Sequence, residues 1–129
     1  MPFLNPAPTP TPDSEPFWQA ANCGELLIKH CEGCGQAHWY PRPNCPFCAS
    51  DRTVWRKASG RGTIQSHCHL RRVADPYVLA YVTLEEGPTM MTNIIDCDPD
   101  SLKIGDPVTV SFIPSADPDQ RVPVFTVQV

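Results

Sequence analysis

The sequence contains no run approaching the ~20 consecutive apolar residues that a membrane helix needs, and its longest apolar stretches, such as residues 77–83, fall far short. Nor does it open with the basic, apolar, small-residue order of a secretory leader. These two absences predict a cytoplasmic protein without a membrane partner. The usual marks of catalysis are missing as well: there is no H-E-x-x-H, no glycine loop able to cradle a phosphate and no Ser/His/Asp motif. At 129 residues and 9% aromatic content, the chain can build one modest core or two very small modules, and a large catalytic barrel is excluded.

Two residue types are instead abundant, with 16 prolines and 7 cysteines. An odd cysteine count without a leader argues for metal or free thiols over a disulfide framework. Six prolines lie among the first 16 residues (Pro2, Pro6, Pro8, Pro10, Pro12, Pro16), so residues 1–12 read as an extended, weakly packed tail. Residues 13–24 read as a short helix, about 15 to 22, capped by Asp13 or Ser14, tolerant of Pro16 in its first turn and stopped by Gly24. Phe17, Trp18, Ala20 and Ala21 give that helix an apolar stripe expected to dock on the rest of the fold.

Residues 25–57 consist of short segments punctuated by Cys, Gly and Pro, too small to bury a core without a staple. Cys31-Glu-Gly-Cys34 and Cys45-Pro-Phe-Cys48 supply one: each C-x-x-C knuckle can turn both sulfurs to a common centre, and two knuckles complete a tetrahedron. Zinc is the expected ion, with iron in the same four-sulfur geometry as the alternative. Four protein ligands leave no open position, so the metal is expected to be structural. The remaining cysteines, Cys23, Cys68 and Cys97, read as small buried apolar filler. His67 and His69 read as half-exposed strand residues sharing one face, and His30 and His38 as flanking the first knuckle, either hydrogen-bonding there or filling the surface.

From residue 58 onward the pattern is mainly β. Five turn-bounded, β-branched stretches (62–71, 77–84, 89–96, 107–113 and 122–129) are separated by Asp75-Pro76, Gly87-Pro88, Asp98-Pro99 and Asp117-Pro118. Five strands in about 70 residues predict an OB-fold barrel, with a small sandwich as the alternative. Charge is polarised along the chain. Residues 25–72 hold eight basic side chains against three acidic ones, while residues 73–129 hold two against nine. A positive ribbon beside an acidic barrel suits a small phosphorylated ligand better than a long polyanion. This charge placement predicts phosphate contacts from Arg42, Lys57, Arg61 and Arg72 at the ribbon–barrel junction. A single-stranded nucleic-acid binder using Trp39, Tyr40, Tyr77 and Tyr81 for stacking is the alternative, opposed by the acidic barrel.

Taken in order, the aromatic helix at Phe17-Trp18, Gly24-Glu-Leu26, the two knuckles, Tyr40-Pro-Arg-Pro43 between them, Ser59-Gly-Arg-Gly-Thr63, Pro76-Tyr77, Leu84-Glu-Glu-Gly87, Asn93 and Ile104-Gly105 form a recognisable series. It resembles the rubredoxin-like zinc-ribbon plus OB-fold proteins of domain-of-unknown-function family 35, over about residues 13 to 129. The resemblance implies an accessory subunit or fused domain beside enzymes of acyl-CoA metabolism: thiolases, hydratases and steroid side-chain aldolases. It implies no catalytic residue. The expectation is therefore a non-catalytic subunit that binds acyl-CoA or helps present it to a thiolase-, hydratase- or aldolase-type partner.

Overall fold

The computed structural model describes residues 5–127. Helix α1 (Glu15–Asn22) leads into a three-stranded antiparallel sheet ordered β2-β1-β3, formed by β1 (Leu27–Cys31), β2 (Ala37–His38) and β3 (Thr53–Lys57). Five further strands follow: β4 (Arg61–Leu70), β5 (Tyr77–Leu84), β6 (Thr89–Ile95), β7 (Pro107–Pro114) and β8 (Arg121–Val127). They close a barrel in the order β4-β5-β6-β8-β7, the partly Greek-key arrangement of an OB-fold. The expected OB-fold barrel forms, and the alternative of a small sandwich does not.

Gly24 explains where the helix stops. Its φ of +79° is costly for a side chain with a Cβ. In that conformation the Gly24 amide donates to the Ala21 carbonyl and the Glu25 amide to Ala20, at 3.1 and 2.9 Å, the paired bonds of a Schellman stop. The start differs from expectation. Ser14 occupies the N-cap position, but its hydroxyl makes no capping bond to the helix and instead accepts from the Thr11 amide at 3.0 Å. The predicted tail is also not free along its described part: the Ala116 amide donates to the Asn5 carbonyl at 2.8 Å, and Pro8 is half-buried. Residues 1–4 of that tail, and residues 128 and 129 of the last predicted strand, lie outside the described residues.

Strand alternation builds the barrel interior. On β5, Val78, Ala80, Val82 and Leu84 are buried while the alternate positions face outward. β4 carries a bulge between Ile64 and Ser66, which changes its pairing register against β5. Gly62 sits where strands crowd together: a Cβ there would lie 2.6 Å from the Thr83 carbonyl oxygen and 2.7 Å from Val82 Cγ1. Asp98-Pro99, read from the sequence only as a break, forms a 3₁₀ turn (Pro99–Ser101), with the Asp98 carboxylate accepting from the Asp100 amide at 3.1 Å. Proline in the first turn and an acidic cap are a helix-start signature that the shortness of the segment conceals.

Helix, ribbon and barrel share one core. Phe17 from α1, Leu26 and Ile28 around β1, and Ala58 after β3 belong to the same buried cluster as Ile64, Val82 and Phe125. Phe17 is fully buried, with ring centroids 4.8 Å from Trp18 and 4.5 Å from Trp39. The docking expected of the apolar stripe is therefore what the helix does. Polar contacts fix its register on the barrel: the Arg121 amide donates to Asn22 Oδ1 at 2.8 Å, and Gln120 Nε2 donates to the Trp18 carbonyl at 3.2 Å.

Replacing Phe17 with Ala removes a fully buried ring from the meeting point of all three parts. Denaturant unfolding should show a loss of about 3–5 kcal/mol; a loss below about 1 kcal/mol would mean that the helix is dispensable to the fold.

Candidate functional site

Cys31 ends β1 and is buried, Cys34 follows in the turn toward β2, and Cys45 and Cys48 come from the loop before β3. The four sulfurs lie within 4.8 Å of one another, with Cys31 and Cys48 Sγ 3.5 Å apart and Cys34 and Cys45 Sγ 3.7 Å apart. A tetrahedron of sulfurs ~2.3 Å from a zinc ion has edges of about 3.8 Å. The arrangement thus matches the donor set. Two backbone amides favour negative sulfur: Gly33 N–H donates to Cys31 Sγ and Phe47 N–H to Cys45 Sγ, each at 3.3 Å.

Without a cation such a group cannot ionise together, and the thiols divide accordingly. Cys31 is lowered to about 6, chiefly by the Cys34 amide, against desolvation and with help from Cys48. Cys48 receives the Ser50 amide, which lowers it, yet hydrogen bonding to Cys31 together with desolvation and the other two thiols pushes it up to about 12. Cys34 also moves up: the Gln36 amide favours its thiolate, but desolvation and Cys45 outweigh that help. The same four sulfurs become compatible as thiolates once a divalent ion lies among them.

The four cations expected at the ribbon–barrel junction are not brought together. Arg61 opens β4 and Arg72 follows its far end, so the intervening strand, at ~3.3 Å per residue, separates their backbones by about 30 Å. Arg61 is already engaged by Glu85, through Nε to Oε1 at 2.8 Å and Nη2 to Oε2 at 3.1 Å. That bond raises the guanidinium and lowers the carboxyl, the latter with help from Ser59. Lys57 faces Glu25 at 3.8 Å, and Arg42 lies 5.9 Å from the Tyr40 ring centroid. A count of charges along the chain does not show these pairings, because Glu25 and Glu85 are far in sequence from Lys57 and Arg61, the cations they reach. Of the four aromatics considered for base stacking, Trp39 packs on Phe17 and lies 5.0 Å from the Tyr40 ring, while Tyr81 is exposed on the outer face of β5.

Two further expectations change. Cys23 and Cys68 are exposed rather than core filler, whereas Cys97 is half-buried and packs against the core cluster. Cys23 falls at the helix C-cap, beyond the buried stripe, and Cys68 lies past the β4 bulge. His67 and His69 are half-exposed as expected, and His69 Nδ1 accepts from Arg71 Nε at 3.1 Å. His38, expected to hydrogen-bond beside the knuckle or fill the surface, is 2% exposed, and neither ring nitrogen has a hydrogen-bond partner. The cause is its strand position beside the barrel, which knuckle spacing does not reveal. Burial holds its imidazole below the ordinary value of 6.5; the charges of Lys29 and Arg42 act in the same direction, and a backbone contact with Arg42 opposes them.

Because folding depresses the His38 proton affinity, its stability contribution is complete above about pH 6.5 and declines as pH falls toward the folded-state value. Unfolding midpoints of metal-loaded protein should therefore drop more steeply between pH 7.5 and 5.5 than those of His38→Gln, with cysteine effects common to both. Parallel profiles would show that the buried ring does not govern this window.

With this geometry in hand, comparison with known proteins is informative. Residues 18–54 match the family model of the ChsH2 rubredoxin-like zinc ribbon domain, and residues 55–112 that of the ChsH2 C-terminal OB-fold domain. A DUF35 domain-containing scaffold protein of Methanothermobacter thermautotrophicus is 39% identical over 94 residues, covering 67% of this chain and 71% of that protein. A probable enoyl-CoA hydratase alpha subunit of Thermomonospora curvata is 33% identical over 127 residues, covering 95% of this chain. The chain spans only 40% of that subunit's length. Among solved structures, a chain of the Ltp2-ChsH2(DUF35) aldolase superposes with a TM-score of 0.85 at 32% identity, covering 95% of this chain and 99% of that one. The ribbon, the barrel and these relatives agree, and the chain belongs to the DUF35 family.

Proposed function

We propose that this chain is a non-catalytic accessory subunit, stapled by zinc, that associates with a hydratase-, aldolase- or thiolase-type enzyme and helps it hold an acyl-CoA. The observation carrying this reading is the match over nearly all of both chains to the DUF35 component of an aldolase. The hydratase relatives support it from another direction. In the alpha subunits of Thermomonospora curvata and Mycobacterium tuberculosis, the region like this chain is 40% and 37% of a longer protein. The same module thus accompanies enzymes of thioester chemistry as a segment of a larger subunit.

The chain's own chemistry fits a supporting role. Cys31, Cys34, Cys45 and Cys48 would fill all four positions around a zinc ion and leave none for water or substrate. When bound, the ion supplies charge neutralisation and a cross-link between the two knuckles. Outside the knuckles, Cys97 is the cysteine whose thiol is shifted, and desolvation with the Asp98 and Asp96 carboxylates pushes it up, away from a reactive thiolate. Among the described residues, no histidine hydrogen-bonds a serine or cysteine in the manner of an activated nucleophile.

Elemental analysis of purified protein should give about one zinc per chain. Cys45→Ser should lose the metal and unfold the ribbon, since structural zinc contributes on the order of 10 kcal/mol to so small a fold. Absence of zinc, or an unchanged metal content and melting profile in the variant, would refute the assignment. For the accessory role, tagged chain expressed in its native host should co-purify with an enzyme of acyl-CoA metabolism, and the isolated, metal-loaded chain should turn over no CoA thioester. Turnover by the chain alone would overturn the non-catalytic reading.

A further inference from the structure

A groove of about 500 Å³ opens between the start of β5 and the ends of β4, β6 and β7. Its floor is apolar. Val78 and Ile94 are buried there, in one row across the sheet with His69, while Ile95 and Ile113 stay half-exposed in the lining. A second hollow shares His69 and continues the surface to Val73, which is 42% exposed. Contiguous apolar surface left open to water inside a polar rim marks an interaction site, whereas a lone exposed apolar side chain needs no explanation.

The rim sets the sign of charge that fits. Asp96 follows the end of β6 in a positive-φ turn, at +53°, a conformation that aspartate tolerates. Asp98 comes two residues later. Half-buried Cys97 lies between them in the lining, and desolvation followed by the Asp98 and Asp96 carboxylates pushes its thiol up, so the field of both acids reaches into the groove. Among the described residues, neither carboxylate has a cation within ion-pair distance. Arg71, which reaches His69, is already held by Asp100 at 2.8 Å. Uncompensated carboxylates repel phosphates, which excludes the charged part of a CoA molecule, and they attract lysine or arginine. The basic ribbon of a second copy would satisfy the charge, but that head-to-tail contact does not close on itself and leads to filaments.

We infer that this groove seats the partner enzyme, which inserts an apolar side chain from a segment that also carries lysine or arginine. The inference rests on the accessory role proposed above and adds to it the surface used and the chemistry of the segment received. Because the barrel is closed, the contact is made by side chains and not by adding a strand to an open edge.

The metal-loaded full chain, purified with and without the enzyme that accompanies it in its native host, provides the test. Thiol alkylation read by mass spectrometry should be several-fold slower at Cys97 in the complex than in the free chain. Ile113→Ser should weaken enzyme binding about thirtyfold, the scale of a buried apolar anchor. Asp96→Asn combined with Asp98→Asn keeps the shape of the turn, and should weaken binding about fivefold at low salt with the difference vanishing at high salt. Ile104→Ser, at a position 73% exposed but outside the groove, should bind like the parent. Zinc content should equal the parent's in every variant. If the enzyme stays bound with an unchanged Cys97 rate, or with parent affinity in both groove variants, the groove is refuted and the accessory role stands. If no enzyme accompanies the chain, the accessory role fails and the inference fails with it. Self-association of the isolated chain in sedimentation, abolished by Ile113→Ser, would assign the groove to a second copy and also overturn the inference.

Discussion

Phe17 is the residue on which the parts of this molecule depend. Its ring has no solvent contact and reaches Trp39 of the ribbon within 4.5 Å while sharing a cluster with the barrel residues Ile64 and Phe125. The ribbon by itself has two strands of five residues, one of two, and a sulfur cluster, too little apolar surface for an independent core. Leu26, Ile28 and Ala58 therefore bury themselves against the barrel, and α1 covers the remaining opening. The sulfur cluster is accordingly not the sole determinant of ribbon structure: it fixes the knuckle end, and shared apolar burial fixes the opposite end.

How legible this was in the sequence depends on the range of the interactions. The helix limits could be read because their causes are local: Pro16 in the first turn, and Gly24 free to adopt positive φ. The barrel strands were visible because alternation and Asp-Pro or Gly-Pro breaks lie within each segment. The knuckles were visible because C-x-x-C places two ligands in one turn. Long-range pairing was not visible. Arg61 and Lys57 read as free cations until the fold set Glu85 and Glu25 beside them, and His38 read as a flank of the first knuckle until the ribbon lay against the barrel.

The same limit applies to buried polar groups. Trp18 and Thr92 are 74 positions apart, and nothing around either indicates that its polar atom will be enclosed without a partner. Trp18 read as one member of an apolar stripe, and Thr92 as an ordinary strand residue. Only the packing of helix, ribbon and barrel on one another encloses them.

The barrel's hydrogen-bond ladders divide unevenly. β4, β5 and β6 form a meander with long registers, and β7 pairs with β8 over seven residue pairs. These two units are joined by three pairs between β4 and β7 and by two parallel pairs between β6 and β8, Ile94 with Phe125 and Ile95 with Thr126. The β4–β7 seam is extended by three more backbone bonds, from the Val110 amide to the Gly60 carbonyl, the Ile64 amide to Asp106 and the Gly105 amide to Ile64, which leaves the two-pair β6–β8 seam as the weaker join. At that seam side chains reinforce closure, with Val108 and Phe125 of the hairpin buried in the same core as the meander. The barrel therefore has a built-in parting line, along which a mutation weakening the core separates a hairpin from a sheet before either loses its own ladder.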